Sequence, residues 1–594
     1  MRTHSLNTVT HYARVTLNRF PLSILSGICF TMAMISIVES HENAWQNLRG
    51  LSHLAMVSAL GIPLFFALAV FIEDQEWEPI RRAALQASGF LVLAVFYFFW
   101  LPNTDHSGPY YRYSMFNAAV HLLVAVAPFL FLNNYRNAFW QYNKSLFLRF
   151  IESMIYSVTL YVGLALAIVA LNYLFNLKID EKFYAHLWFI VVGTFNTWFF
   201  LAGVPQNIRG LEQVYDYPKG LKVFTQFILI PLLTIYLIIL YLYLGKIILQ
   251  WDLPRGGVSW FVIAASTFGI LSLLLVYPIS EKNENTWIKT YARYFYLALF
   301  PLIMLMAFAI GRRIFDYGIT VERYFVLIFT VWLSVIAVCF TVNPKTNIKI
   351  IPLSLMLLFA ATLFGPWGAL EVSKSSQMSR LKKYLIAGEM FKSGKLNKAT
   401  ALVLSKKDVM SISSILQYLH STYGLEILTP WLSEELKPEY KEPSAFLWQY
   451  LGLKYVYPYE GVDDRQSFYF GSHLNGEVQT ISGFDYLSEV NNLHKEIPQI
   501  IKIAPGDVIL TLKGESLRVA FKGEEMTIAL RPLIEPSSDS NQWYNYDVPI
   551  EKMTVDAEGK NLKVKVFITY IQGVAAAKEY SLGSLAARVL LKVK

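Results

Sequence analysis

Eleven long apolar runs fill the first 372 residues, and nothing constrains the fold of this chain more. They lie at about 20–38, 50–72, 83–101, 112–132, 146–174, 183–204, 221–249, 257–278, 288–311, 319–342 and 350–371. The hydrocarbon core of a bilayer is about 30 Å thick, which an α-helix crosses in about 20 residues. With no water inside that core, each backbone N–H and C=O must be satisfied within its own helix. The fold class that follows is a polytopic α-helical membrane protein with about eleven transmembrane helices. A C-terminal α+β soluble domain rich in antiparallel β-structure follows them.

Composition agrees, with 55% hydrophobic residues, 16% charged residues and a mean hydropathy of +0.39. The formal net charge of +9 asks for no nucleic acid, because Lys and Arg in short loops beside spanning helices give the same balance. Cys29 and Cys339 each lie within an apolar run, so neither a disulfide framework nor a cysteine metal site is expected. The N-terminal run follows a basic segment and shows no small-residue cleavage pattern, which reads as a retained first helix. Pro63, Pro231 and Pro301 fall near the middles of their runs, where proline removes a backbone donor and favours a kink.

With the N-terminus inside, sixteen Lys and Arg flank the helices on the cytoplasmic side, from Arg2 to Lys349, and nine flank them outside, from Arg49 to Arg323. The excess supports a cytoplasmic N-terminus. An odd number of crossings then puts the C-terminal domain outside the cytoplasm. Residues 1–372 form the bundle. Residues 373–460 read as a helical neck, in which "SRLKKYLIAGEMFKSGKL", "KDVMSISSILQYLHSTYG" and "PSAFLWQYLGL" have helix-like apolar spacing. In residues 461–594 short runs such as "QSFYFG", "EVQTISG", "DVILTLKG", "ESLRVAFKG", "MTIALRPL" and "NLKVKVFITYIQG" alternate with Gly-containing turns, and a small β-sandwich or twisted antiparallel sheet is expected.

Two segments resemble each other. From Phe227 and again from Leu297, a helix with a central proline ends in Gly and a basic residue, then gives way to a link and a new apolar helix. The match suggests a duplicated hairpin in which Ser259 and Thr320 cap corresponding helices. The second link, "DYGITVERYF", gathers Arg312, Arg313, Asp316, Glu322 and Arg323. Glu322 suits the positive end of the helix it opens and the arginines the negative end of the helix before, with Asp316 and Glu322 near enough to pair with Arg312 and Arg313. The alternative is a basic pocket for an anion, such as a lipid headgroup or a phosphate-bearing substrate.

Gly318-Ile319-Thr320 followed by Glu322-Arg323-Tyr324, together with "NTWFFLAGVP" (196–205), "YPKGLKVFTQFILIPL" (217–232) and "LPRGGVSW" (253–260), resembles the bacterial membrane family known as domain of unknown function 4153. The likeness covers about residues 15–375. It implies a multi-helix bacterial membrane protein, often with an added soluble part, and no established reaction.

Polar side chains at bilayer depth are costly and become site candidates for that reason. Asn117 and His121 share a helix face, Asn172 lies late in the fifth run and Asn196 near the middle of the sixth. A shared cavity of Asn117, His121 and Asn196 would suit a solute path or proton relay. Hydrogen bonds that only join neighbouring helices are the competing account. Arg149 and Glu152, three apart, are placed to form an ion pair. No phosphate-binding Gly-rich loop, zinc-peptidase motif or serine-hydrolase elbow occurs, and no cofactor or metal is expected. Glu39 and Glu42, at the outer end of the first helix, resemble the acidic positions of membrane glycosyltransferases that use lipid-linked donors. The reading is therefore a transport, sensing or scaffold component whose partners are the bilayer and an anionic lipid or small solute. A glycosyltransferase-like enzyme is the alternative.

Overall fold

The structure, a computed structural model, describes residues 6–40, 45–73, 77–101, 106–132, 135–250, 257–279, 286–397, 404–432, 442–453, 465–472, 481–538, 544–545, 548–576 and 579–594. The chain divides into two units, Met1–Asn397 with Ile415–Glu442, and Lys398–Ser414 with Pro443–Lys594.

Helices build the first unit: α1 (Leu6–Arg19), α2 (Pro21–Glu39), α3 (Trp45–Glu73), α4 (Pro79–Val95), α5 (Gly108–Val126), α6 (Arg136–Phe175), α7 (Lys182–Phe189), α8 (Thr197–Ala202), α9 (Lys219–Val223), α10 (Ile230–Gln250), α11 (Val258–Val276), α12 (Thr286–Tyr317), α13 (Val321–Val342), α14 (Ile350–Thr362), α15 (Ala369–Ala387) and the later part of α16 (Lys406–Tyr423). A short hairpin, β1 (Phe391–Lys392) with β2 (Lys395–Leu396), follows α15.

Among the described residues nine helical segments are long and apolar enough to cross a membrane, and each coincides with one of the eleven runs. The other two runs also turn out helical. The run at 112–132 becomes α5 and a turn of 3-10 helix, Ala127–Phe129; Tyr110, Tyr111, Arg112, Tyr113 and Ser114 in the first turns of α5 dilute that helix's apolar character. The run at 350–371 becomes the 13-residue α14, which stops ahead of Gly365, Pro366 and Gly368. Only 6% of the apolar window in Arg136–Phe175 is buried, against 61% in Leu48–Glu73. A continuous apolar face of that length finds its favourable surroundings in lipid.

Pro63 and Pro301 lie inside α3 and α12. Pro231 follows a π-helical turn, Phe224–Leu229, whose wider hydrogen-bond spacing accommodates the missing donor. A second π turn, Ile190–Asn196, joins α7 to α8 and packs on α2 through small residues. There a Cβ on Gly193 would stand 2.3 Å from Thr31 Oγ1, and one on Gly27 2.6 Å from the Gly193 carbonyl. Thr31 Oγ1 lies 3.2 Å from the Phe189 carbonyl, a group that the irregular turn draws away from α-helical pairing, and 3.0 Å from Thr194 Oγ1.

Contacts at helix ends sort into two groups. At one end of the bundle Arg19 binds Glu73 at 2.5 Å and the Val204 carbonyl at 2.7 Å, Arg136 reaches the Lys345 carbonyl at 3.1 Å, and Lys349 donates to the Phe129 carbonyl at 2.9 Å. At the other, Glu39 lies 3.6 Å from Lys182, the Ser107 amide donates to the Ser421 carbonyl at 2.8 Å, and Tyr324 donates to the Trp367 carbonyl at 2.6 Å. Successive segments therefore alternate in direction, and α1 and α15 lie at opposite ends.

The second unit is mainly antiparallel β. After α17 (Pro443–Phe446) come β3 (Arg465–Gly471), β4 (Tyr486–His494), β5 (Gln499–Ile503), β6 (Gly506–Lys513), β7 (Ser516–Phe521), β8 (Glu524–Ala529), α18 (Arg531–Ser538), β9 (Tyr544–Asn545), β10 (Thr554–Glu558), β11 (Leu562–Ala576) and β12 (Glu579–Val593). One sheet has the order β4-β12-β11-β3-β9, with β10 also on β11; the other has the order β5-β6-β7-β8. Both contribute to one core, which includes Phe470, Leu510, Val519, Ile568 and Val589. The β7–β8 turn has positive φ at Lys522 and Gly523, the conformation a two-residue hairpin needs. Of the strands expected from sequence, "EVQTISG" differs: residues 473–480 lie outside the described set, and Ile481–Gly483 is not strand. "MTIALRPL" is strand only to Ala529, because Pro532 at the start of α18 cannot continue a ladder.

Candidate functional site

The charged join between α12 and α13 is built into the unit from two sides. Gly318, at φ +72, ends α12 in the left-handed conformation that glycine adopts without strain. A Cβ there would also meet Arg380 Cδ at 2.4 Å. Thr320 caps α13 by accepting from the Arg323 amide at 3.5 Å, and Glu322 occupies the first turn. Arg312 lies 3.8 Å from Asp316, one helical turn on. Glu322 accepts from the Tyr111 hydroxyl of α5, and Arg323 donates to the α12 terminal carbonyls, at 3.1 Å to Tyr317 and 2.9 Å to Gly318. Arg323 also lies 5.4 Å over the Tyr317 ring.

Helices α15 and α16 hold the same loop from the other side. Gln377 donates to the carbonyls of Tyr317 and Ile319, at 3.1 and 3.0 Å. The Ile319 amide donates to Ser376 Oγ at 2.9 Å, and the Val321 amide to Tyr418 Oη at 3.0 Å. Ser373 Oγ lies 2.5 Å from that same Oη, and Tyr423 donates to the Leu370 carbonyl at 2.8 Å. Burial pushes both the Tyr418 and the Tyr423 phenol above the usual range, which keeps them neutral as hydrogen-bonding groups. The four backbone groups of a membrane-end loop are thus satisfied by side chains of the neck.

Two cavities border this region. One, of about 310 Å³, lies between α5 and the α14–α15 turn, with Trp100, Arg112, Phe364 and Glu371 in its wall. The smaller, of about 70 Å³, lies where the two similar hairpins meet. Gly257 to Trp260 line it from one, and Ala309, Ile310, Arg313, Glu322, Arg323 and Val326 from the other. Here Ser259 departs from its expected role. The α11 cap is Gly257, at φ +89, with no side-chain hydrogen bond, and Ser259 lies inside the helix, two residues past the cap position.

The intramembrane polar residues have separate surroundings. His121 is exposed, its Nδ1 2.9 Å from the Asn117 carbonyl one turn earlier on α5. Asn196 closes the 190–196 turn and accepts from Ser157 of α6 at 3.1 Å. Helix α5 packs against α3 and α14, whereas the 190–196 turn packs against α2 and α6, so the structure does not gather Asn117, His121 and Asn196 into one cluster. Asn172 is half-buried near the end of α6. Arg149 donates to Glu152 at 2.7 Å.

Glu39 ends α2 beside Lys182 at 3.6 Å and His186 Nε2 at 3.0 Å. The imidazole contact is close but not aligned as a hydrogen bond. Glu42 lies outside the described residues. Among the described residues no three His, Cys, Asp or Glu gather as metal ligands.

Sequence reasoning passed over Ser373, Ser376, Gln377 and Tyr418. Their one visible signal was position, as polar residues on the helices just after the last apolar run. Nothing in their local pattern says that they face Gly318.

A family profile described as "Domain of unknown function (DUF4153)" matches residues 24–388. An uncharacterized protein from Pasteurella multocida (strain Pm70) is 21% identical over 391 residues, which cover 64% of this chain and 61% of that protein. The match thus spans less than two thirds of the relative's length. No solved structure matches the chain.

Proposed function

The chain belongs to the DUF4153 family, whose function is unknown, and from that premise we propose a sensing or scaffold component of the bacterial inner membrane. In this reading eleven segments cross the bilayer with the N-terminus in the cytoplasm. The bundle end that carries α15 faces outward, and the C-terminal domain lies on the outer side of the membrane. Support comes from the Lys and Arg excess at the end of the bundle holding Arg19, Arg136 and Lys349. The alternating helix directions put α15 at the other end.

The observation that carries the functional reading is the hydrogen-bonded seat of residues 317–321 on Ser376, Gln377 and Tyr418. Here a change in the packing of α12 against α13 would be felt by α15 and α16 through four hydrogen bonds. Transport through the bundle lacks comparable support, because its expected polar cluster is dispersed.

The test is to replace Ser376 and Gln377 with alanine and follow amide hydrogen exchange of the full-length protein in nanodiscs. Coupling predicts faster exchange in residues 370–386 and at the 317–323 loop, with α2 and α3 unchanged. Exchange indistinguishable from wild type in both stretches would refute it.

A further inference from the structure

We propose that the cavity between α5 and the α14–α15 turn binds a phosphoethanolamine group, carried either by phosphatidylethanolamine or by soluble glycerophosphoethanolamine. It is a ligand site in its own right and does not depend on the sensing role.

The backbone of the turn carries the argument for the ammonium end. Gly365, at φ +77, and Pro366 reverse the chain after α14, and Gly368 caps α15. A Cβ on Gly368 would stand 3.1 Å from the carbonyl oxygens of Gly365 and Thr362 and 3.3 Å from that of Phe364. Three carbonyls thus surround the place that glycine leaves open, and all four residues line the cavity. The Gly365 carbonyl accepts the Gly368 amide at 3.0 Å. The other two are left over by the geometry of the turn. Four residues after Thr362 stands Pro366, which has no N–H, and four after Phe364 stands Gly368, whose amide is already taken. Among the described residues neither carbonyl accepts a hydrogen bond. They also lie at the C-terminal end of α14, where a helix carries partial negative charge. A primary ammonium brings three donors to such a set. The Trp100 and Phe364 rings, 5.2 Å apart, border the same space and offer faces to a cation. Glu371 adds a carboxylate to the wall, partly offset by the positive end of α15 that it opens.

The opposite wall decides what accompanies the ammonium. Arg112 of α5 lines the cavity, and among the described residues it forms no hydrogen bond or ion pair. A guanidinium there disfavours a bare cation and calls for a ligand that brings its own anion; its planar fork matches phosphate oxygens. With one arginine and one carboxylate in the wall, the site needs no surplus charge. Its 310 Å³ exceeds what a single ion fills and stands at the lower end of the roughly 300–1,000 Å³ of small-molecule sites. Met115 and Leu370 give it a buried apolar floor, while Phe364 and Trp367 of the turn are exposed, as suits aromatic rings at the lipid interface.

The experiment uses the full-length protein in two settings. In nanodiscs of mixed phosphatidylethanolamine, phosphatidylcholine and phosphatidylglycerol, then released for native mass spectrometry, wild type should retain phosphatidylethanolamine over both. Phosphatidylcholine has no N–H for the carbonyls, and phosphatidylglycerol has no ammonium. Gly368→Ala fills the space between the carbonyls at a φ of −59 that alanine adopts freely, and should reduce that occupancy about tenfold. Arg112→Gln should reduce it similarly and Arg112→Lys less, because lysine keeps the charge but loses the fork. In detergent, glycerophosphoethanolamine is titrated by thermal shift. Retention of phosphatidylethanolamine assigns the site to lipid; stabilisation by glycerophosphoethanolamine without that retention assigns it to the soluble compound. Should Gly368→Ala fail to fold, Arg112→Gln decides. No preference for phosphatidylethanolamine together with no stabilisation by glycerophosphoethanolamine, or equal binding by wild type and the folded variants, overturns the proposal. Normal binding together with a failed exchange test would reject the sensing role and leave the site intact.

Discussion

Replacing Tyr418 with phenylalanine removes one oxygen from the seat of the 317–321 loop and leaves the ring in place. Oη accepts from the Val321 amide at 3.0 Å, and Ser373 Oγ lies 2.5 Å away. Val321 and Ser373 are each 0% exposed, so water cannot take over either bond. Leaving one buried donor unsatisfied costs about 1–3 kcal/mol. The Ser373 hydroxyl can turn to a backbone carbonyl of its own helix, so most of the loss falls on the Val321 amide, and no cavity term adds to it. Tyr418→Phe should lower the unfolding free energy by about 2 kcal/mol, measured by equilibrium unfolding in mixed detergent micelles. Ser373→Ala should cost less alone, and the two together less than their sum, because they share one network. A Tyr418→Phe effect within about 0.5 kcal/mol of zero, the ordinary range for an exposed surface change, would refute the claim that this hydroxyl holds the loop.

Other outcomes follow from the same geometry. Gly193→Ala should destabilise α2 packing by about 1–3 kcal/mol, since its Cβ would stand 2.3 Å from Thr31 Oγ1; thermal unfolding in detergent reads this. Thr320→Ala should cost about 0.5 kcal/mol, the low end for a lost cap, because the bond is 3.5 Å long. Hydrogen bonds from Lys594, then Lys563, hold the Glu558 carboxyl below the usual carboxylate range. A depressed folded pKa gives stability that is present above the unfolded value near 4.5 and lost as pH falls through the folded one. Glu558→Gln should therefore flatten the acid limb of the unfolding curve below about pH 4.5 and leave pH 7 to 8 unchanged in shape. Tyr418 and Tyr423, raised by burial, should stay neutral past the usual value near 10. Stability from them is intact below that value and lost above it, and the 295 nm alkaline titration of Tyr423→Phe should lack a late-titrating tyrosine.

The bundle was legible because length and apolarity alone decide whether a helix suits lipid, and Thr320 was legible because a cap acts within three residues. Ser259 was not, since the choice between it and Gly257 depends on a backbone φ of +89 that composition does not reveal. Strand β12 escaped notice for a different reason. Its Gly583, Ser584, Ala586 and Ala587 carry little strand preference. It is a strand because β11 and β4 pair with it on both sides. The same limit hid Gln377 and Tyr418, whose partners lie 58 to 97 residues away.

The account depends most on the α15 end of the bundle and the C-terminal domain lying outside the cytoplasm. Fusing alkaline phosphatase or green fluorescent protein after Lys594 tests that directly. An active phosphatase with a dark fluorescent protein is the result expected. A fluorescent fusion with inactive phosphatase would place the neck and its loop in the cytoplasm and contradict it.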